Sequence, residues 1–91
     1  MNVRITELAR WQVKLAIQDL LKRRDPEAEQ FDQSLRKLFA DPSAIPAQLR
    51  PLEGMPELPH QEIVVGSYRL LFRREDETLW MLGLWPPLYA E

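Results

Sequence analysis

Residues 62–85 read EIVVGSYRLLFRREDETLWMLGLW. Within this stretch Tyr68, Leu70 and Phe72 alternate with Arg69, Leu71 and Arg73, the two-residue period of a strand with one apolar face and one face carrying guanidinium groups. Upstream, Gly66-Ser67 forms a two-residue connection, and glycine at its first position accepts the positive φ of a type II′ turn, whose twist matches the flanking strands. Downstream, the charged residues 75–78 form a second turn before the apolar run 79–85. The expected result is an antiparallel meander of three strands, 62–65, 68–74 and 79–85. Strict alternation along the last strand puts Trp80 and Trp85 on opposite faces, so at most one of them meets the apolar layer directly.

That layer lies toward the N-terminus. Residues 7–24 contain neither glycine nor proline and are rich in strong helix formers, and Thr6 is placed to cap a helix beginning at Glu7. At 100° per residue Val13, Ala16, Ile17 and Leu20 share one side of that helix, whereas Leu8, Trp11 and Leu15 fall roughly opposite. A single sheet covers one stripe, so the other must meet the second helix, a loop or another chain, with the second helix the simpler expectation. Asp25-Pro26-Glu27 has the order of a helix start, with Asp25 as N-cap, proline where its missing N–H is harmless and an acid at the positive dipole end. Ala28, Phe31, Leu35 and Leu38 then recur at helical spacing until Asp41-Pro42 stops the pattern. So short a connection makes the two helices an antiparallel hairpin. Before them, residues 3–5 alternate as a short strand.

Residues 42–59 hold five of the eight prolines, which excludes a regular helix or a central strand and leaves an ordered loop or an extended crossing. The fold expected is α+β: an N-terminal strand, then an antiparallel two-helix hairpin packed on the apolar face of a C-terminal antiparallel meander. At 91 residues the chain is expected to be one domain, 1–91, because so short a chain can barely bury one adequate core. Absence of cysteine removes disulfide frameworks and thiolate metal sites, so a cytoplasmic location is the simplest expectation. No apolar signal-like segment opens the sequence and no run of roughly 20 apolar residues crosses a bilayer, so no membrane association is expected. No His/Cys/Asp/Glu cluster has ligand spacing and no glycine-rich phosphate loop occurs, so neither metal nor organic cofactor is expected. A net charge of −2 argues against a broad surface for polyanions, although Lys22-Arg23-Arg24, Arg36-Lys37 and Arg69 with Arg73-Arg74 form local basic clusters.

Four pieces of the C-terminal half together sharpen the reading: Leu49-Arg50-Pro51-Leu52, Met55-Pro56-Glu57-Leu58-Pro59, Val65-Gly66-Ser67-Tyr68-Arg69-Leu70-Leu71-Phe72-Arg73, and the apolar last strand. This pattern of loop leucine and proline, tyrosine–arginine hairpin and apolar final strand resembles the RelE/ParE superfamily, the toxins of type II toxin–antitoxin modules, and more the ParE branch than the RelE branch. The resemblance implies growth inhibition and neutralisation by a cognate antitoxin, in a heterotetramer or larger assembly. It also implies one of two activities. Ribosome-dependent cleavage of mRNA needs several cations and a proton donor around a phosphate; Arg69, Arg73, His60 and Tyr89 are the candidates, with Arg69 matching the hairpin arginine of that pattern. The preceding strand, however, offers His60, Gln61 and Glu62 where that branch carries cations, and Glu62 repels a phosphate. Poisoning of DNA gyrase instead needs aromatic and arginine anchors for a protein partner, for which Trp11, Leu15, Arg50, Tyr68, Arg69, Arg73, Trp80 and Trp85 are the candidates. Here too the chain departs from the usual residues, with Gln61 before the hairpin and Pro86 after the last strand. The protein-directed activity is the expectation, the ribosome and mRNA being the lesser partners; a toxin homologue acting only as an antitoxin-binding partner is the third reading. Arg69 also has a purely structural use, pairing with Glu62 across the sheet.

Overall fold

The computed structural model describes residues 2–85. Strand β1 (Asn2–Ile5) leads into helix α1 (Glu7–Lys22), which turns into α2 (Glu27–Ala40); two 3-10 turns (Pro42–Ala44 and Pro46–Gln48) and a two-residue strand β2 (Arg50–Pro51) connect to the meander β3 (His60–Val65), β4 (Tyr68–Glu75) and β5 (Thr78–Trp85). The five strands form one sheet in the order β1-β5-β4-β3-β2. The three meander strands are antiparallel as expected, and β1 joins the outer side of β5 in parallel, with Val3 opposite Leu79 and Ile5 opposite Met81. The long connection that a parallel pair requires is met here by both helices and by strands β2, β3 and β4, all of which lie between β1 and β5 in the chain.

Local chemistry sets each boundary. Thr6 Oγ1 accepts the Ala9 N–H at 3.1 Å and donates to the Leu82 carbonyl at 3.3 Å, so the cap of α1 is also its anchor to β5. At the other end Arg24 N–H reaches the Leu21 carbonyl and Asp25 N–H the Leu20 carbonyl, with Arg24 at φ +52°. This is a Schellman closure with arginine in the left-handed position that glycine usually fills. Asp25 Oδ1 then accepts the Glu27 N–H at 2.9 Å. Pro26 already has helical angles, so the expected cap and proline roles hold although the helix proper is counted from Glu27. Val65 pairs with Tyr68 across Gly66-Ser67, and Gly66 alone of the two has positive φ, +61°, as a type II′ turn demands. The second turn is tighter than expected: Glu75 pairs with Thr78, and Asp76 takes a φ of +56°, which aspartate tolerates.

Ala9, Ala16 and Leu20 of α1 with Phe31, Leu35 and Leu38 of α2 pack on Ile63, Val65, Leu70, Phe72, Leu79, Met81 and Leu84 of the sheet. Val13 and Ile17 are half-buried against this core. Ile45, between the two 3-10 turns, is completely buried, so the proline-rich segment contributes to the core as well as connecting the layers. The second stripe of α1 contradicts the simpler expectation. Leu8, Trp11 and Leu15 are 60%, 57% and 44% exposed, because α2 packs beside the inner stripe rather than over the outer one.

A register shift between Leu71 and Phe72 also overturns the assignment of the tryptophans. Leu71 lies opposite Gly83 but Phe72 lies opposite Met81, leaving Leu82 as an extra residue in β5. A bulge of one residue inverts the alternation beyond it. Trp80 consequently pairs with Arg73 and Trp85 with Arg69, and both belong to the face that carries the arginines.

Candidate interaction surfaces

Two surfaces gather the residues singled out by the sequence. The first is the sheet face turned away from the helices. Cross-strand pairing places His60, Arg73, Trp80 and Arg4 in one row across four strands. Val64, Arg69 and Trp85 form a second row. Between them Glu62 faces Leu71, with Arg50 of β2 on its other side.

The charges of this face are largely self-engaged. Glu62 is 1% exposed and lies 3.4 Å from Arg50 Nε and 3.8 Å from Arg69 Nη1, while Arg69 Nη2 donates to Glu53 Oε1 at 3.0 Å. The two buried carboxylate oxygens make no hydrogen bond among the described residues, so Glu62 is held by proximity to two cations rather than by directed bonds. The structural use expected of Arg69 is therefore realised, and Glu53 joins it from the loop before β3. Sequence pattern offered no signal for Glu53, which sits in an aperiodic stretch. Arg69 and Arg73 stand four residues apart on β4, roughly 13 Å along a strand, and only Arg73 and His60 are direct neighbours. Among the described residues the Nδ1 of His60 is buried without a hydrogen-bond partner. Tyr89, the remaining candidate for a cleft, lies outside the described residues.

The second surface is the outer side of α1. Leu8, Trp11 and Leu15 form its exposed stripe. Beside it, Gln12, Leu15, Ala16, Asp19, Tyr68, Leu84 and Trp85 line a groove of about 370 Å³. Gln12 fixes the groove floor: its Oε1 accepts the Leu84 N–H at 2.8 Å, and a Cβ at Gly83 would sit 3.0 Å from that oxygen. Glycine at this position keeps the helix in contact with the bulged strand.

Tyr68 is a correction among the partner-binding candidates. Its side chain is 5% exposed and its ring centroid lies 4.8 Å from that of Phe31, so the ring belongs to the core. Burial raises its pKa above the usual tyrosine value, with the Asp19 and Asp25 carboxylates adding to the effect and Arg23 opposing it. Trp11, Leu15, Arg50, Arg69, Arg73, Trp80 and Trp85 all retain accessible surface, but they are divided between the two surfaces. Among the described residues no group of acids and histidines is arranged to hold a metal ion, and no helix is long and apolar enough to cross a membrane.

The tyrosine–arginine hairpin, the bulged last strand and the exposed α1 stripe occur in a sequence whose residues 3–86 match the family model of the ParE toxin of type II toxin–antitoxin systems, parDE. The chain belongs to the ParE toxin family. Its fold agrees with that of a solved chain from the chromosomal ParDE toxin–antitoxin system of P. aeruginosa, with a TM-score of 0.68 and 15% identity over 92% of each chain. No curated protein matches this ParE sequence. At that identity the shared feature is the fold, and the ParE chain's own residues must carry the finer functional reading.

Proposed function

We propose that this ParE chain inhibits growth by binding a protein, with DNA gyrase as the target, and is neutralised by an antitoxin that covers the outer stripe of α1. The observation that carries the choice of a protein-directed activity is the engagement of Arg69 by Glu53 and the buried Glu62. A nuclease cleft needs its cations free to meet a developing phosphate charge. Here the hairpin arginine already has two carboxylates within 4 Å, and a scissile phosphate brought to it meets their negative charge. Leu8, Trp11 and Leu15, in contrast, are contiguous apolar anchors on a rigid helix, the kind of surface that a protein partner desolvates with profit in binding energy.

The test is induction of the chain alone and together with the protein of the adjacent small gene, following growth, plasmid supercoiling and mRNA integrity. Growth arrest with loss of gyrase supercoiling, intact mRNA and rescue by the neighbouring protein is the expected result. Cleavage of translated mRNA that disappears in Arg69→Ala overturns the proposal in favour of a ribonuclease. Unimpaired growth reduces the chain to a binding partner.

A further inference from the structure

The arginines of the outer sheet face divide into two halves, one supplied with carboxylates and one without. In the β2–β3–β4 half, Arg50 and Arg69 lie 3.4 and 3.8 Å from the buried Glu62, and Glu53 reaches Arg69 Nη2 at 3.0 Å from the loop. In the β4–β5–β1 half, Arg73, Trp80 and Arg4 stand side by side in one row. Both arginines of this row are exposed, and among the described residues neither has an ion pair or a side-chain hydrogen bond.

The row is built on rigid ground. Leu79 and Met81, on either side of Trp80, are wholly buried, and Val3 and Ile5, on either side of Arg4, pack against the core, so strand alternation sends the row outward. Neighbouring strands lie about 4.8 Å apart, which holds the backbones of Arg73 and Arg4 roughly 10 Å from each other with a half-buried indole between them.

The missing complement is acidic. A carboxylate is what this same face already gives to Arg50 and Arg69, and an indole between two guanidinium groups has the composition of a protein-binding anchor. A polyanion fits less well. A phosphate chain leaving the row runs onto Glu62 and Glu53 on one side or, on the other, onto Glu75, two residues beyond Arg73 on the same face, and a net charge of −2 supplies no wider field to hold it. Two separate carboxylates with an apolar group between them address the row alone.

We infer that the row Arg4, Trp80 and Arg73 is where this chain meets its target protein, and that the target presents there an acidic patch, two carboxylates roughly 10 Å apart about an apolar side chain. The inference deepens the protein-directed activity proposed above and rests on it. The row is separate from the α1 stripe assigned to the antitoxin.

Binding of purified DNA gyrase to the chain is measured by interferometry at several salt concentrations. For Arg4→Glu with Arg73→Glu the dissociation constant is expected to rise at least about tenfold, and for Trp80→Ala about tenfold. Added salt should weaken wild-type binding and change that of the charge-reversed variant much less. Arg36→Glu with Lys37→Glu makes the same change in net charge on α2 and is expected to bind as the wild type does. Urea denaturation checks the fold of each variant, and Arg4→Gln with Arg73→Gln replaces the charge reversal if that unsettles the sheet. Gyrase binding unchanged in the row variants overturns the inference and leaves the gyrase reading standing. Equal loss in the α2 variant traces the effect to net charge and overturns it as well. A wild-type chain that does not bind gyrase overturns both. Loss of binding to a single-stranded RNA oligonucleotide in the row variants, with gyrase binding intact, assigns the row to nucleic acid and overturns a protein occupant.

Discussion

The two faces of the sheet are built on different principles. On the helix side Leu70, Phe72, Leu79 and Met81 are wholly buried beneath two helices, and the energy there is apolar contact, which is non-directional and proportional to area. On the opposite side the central residue is a carboxylate as inaccessible as those side chains, Glu62, placed between two half-exposed arginines. Its burial is tolerated because cations stand beside it, and a buried pair of this kind stabilises little relative to an apolar substitute. The helix face therefore carries the stability of the fold, and the other face carries charge arrangement that is available for evolution of function. Tyr68 lies at the hairpin end of the helix face, with its ring in the core and Asp19, Arg23 and Asp25 of the helical layer around the same cavity.

This contrast breaks if truncation in the two faces has similar effects. Phe72→Ala removes the largest completely buried side chain and is expected to lower unfolding free energy by about 3–5 kcal/mol, measured by urea denaturation. Arg50→Ala with Arg69→Ala leaves Glu62 uncompensated. Because both arginines are more than a third exposed, solvent screening reduces the expected loss to about 2 kcal/mol, and adding Glu62→Leu to that variant should restore stability. Arg24→Gly relieves the left-handed arginine at the end of α1 and should raise stability by about 1 kcal/mol, read as an increase in denaturation midpoint at constant slope. A pH effect should also separate the faces. The pKa of Tyr68 is raised in the fold, so its contribution is complete below the ordinary tyrosine value of 10.0 and is lost as pH rises through the raised folded value; Tyr68→Phe should remove that alkaline component from the stability profile. Finally Trp11→Ser, on the exposed stripe, should change stability by less than about 0.5 kcal/mol while weakening the antitoxin complex, measured by calorimetry.

Much of the architecture was legible in residue order. Period-two alternation located the meander, Gly66-Ser67 its first turn, and Thr6 and Asp25-Pro26 the starts of the two helices. The candidate surfaces were legible only in part. The outer stripe of α1 could be seen at helical spacing, but whether α2 would cover it depended on where the two helices dock on the sheet. Trp80 and Trp85 were assigned to opposite faces because a bulge leaves no mark in an apolar run: Leu82 is an ordinary strand residue until its register with Leu71 and Phe72 is known. The hairpin tyrosine is a candidate anchor in sequence because aromatic residues dominate protein interfaces, whereas in the fold its ring lies against Phe31 of the helical layer.

What the order of amino acids determined by itself was local: caps, turns, helix faces and strand alternation, all of which depend on residues within a few positions of one another. What only the tertiary structure decided was which unlike charges share a burial site and which strand edge lacks a neighbour. Glu53, Glu62 and Arg69 meet because the loop before β3 returns across the sheet, and Val64 is left open because β2 stops after two residues. Both are consequences of long-range registry, where chain connectivity and packing outweigh any preference a residue has for its neighbours in sequence.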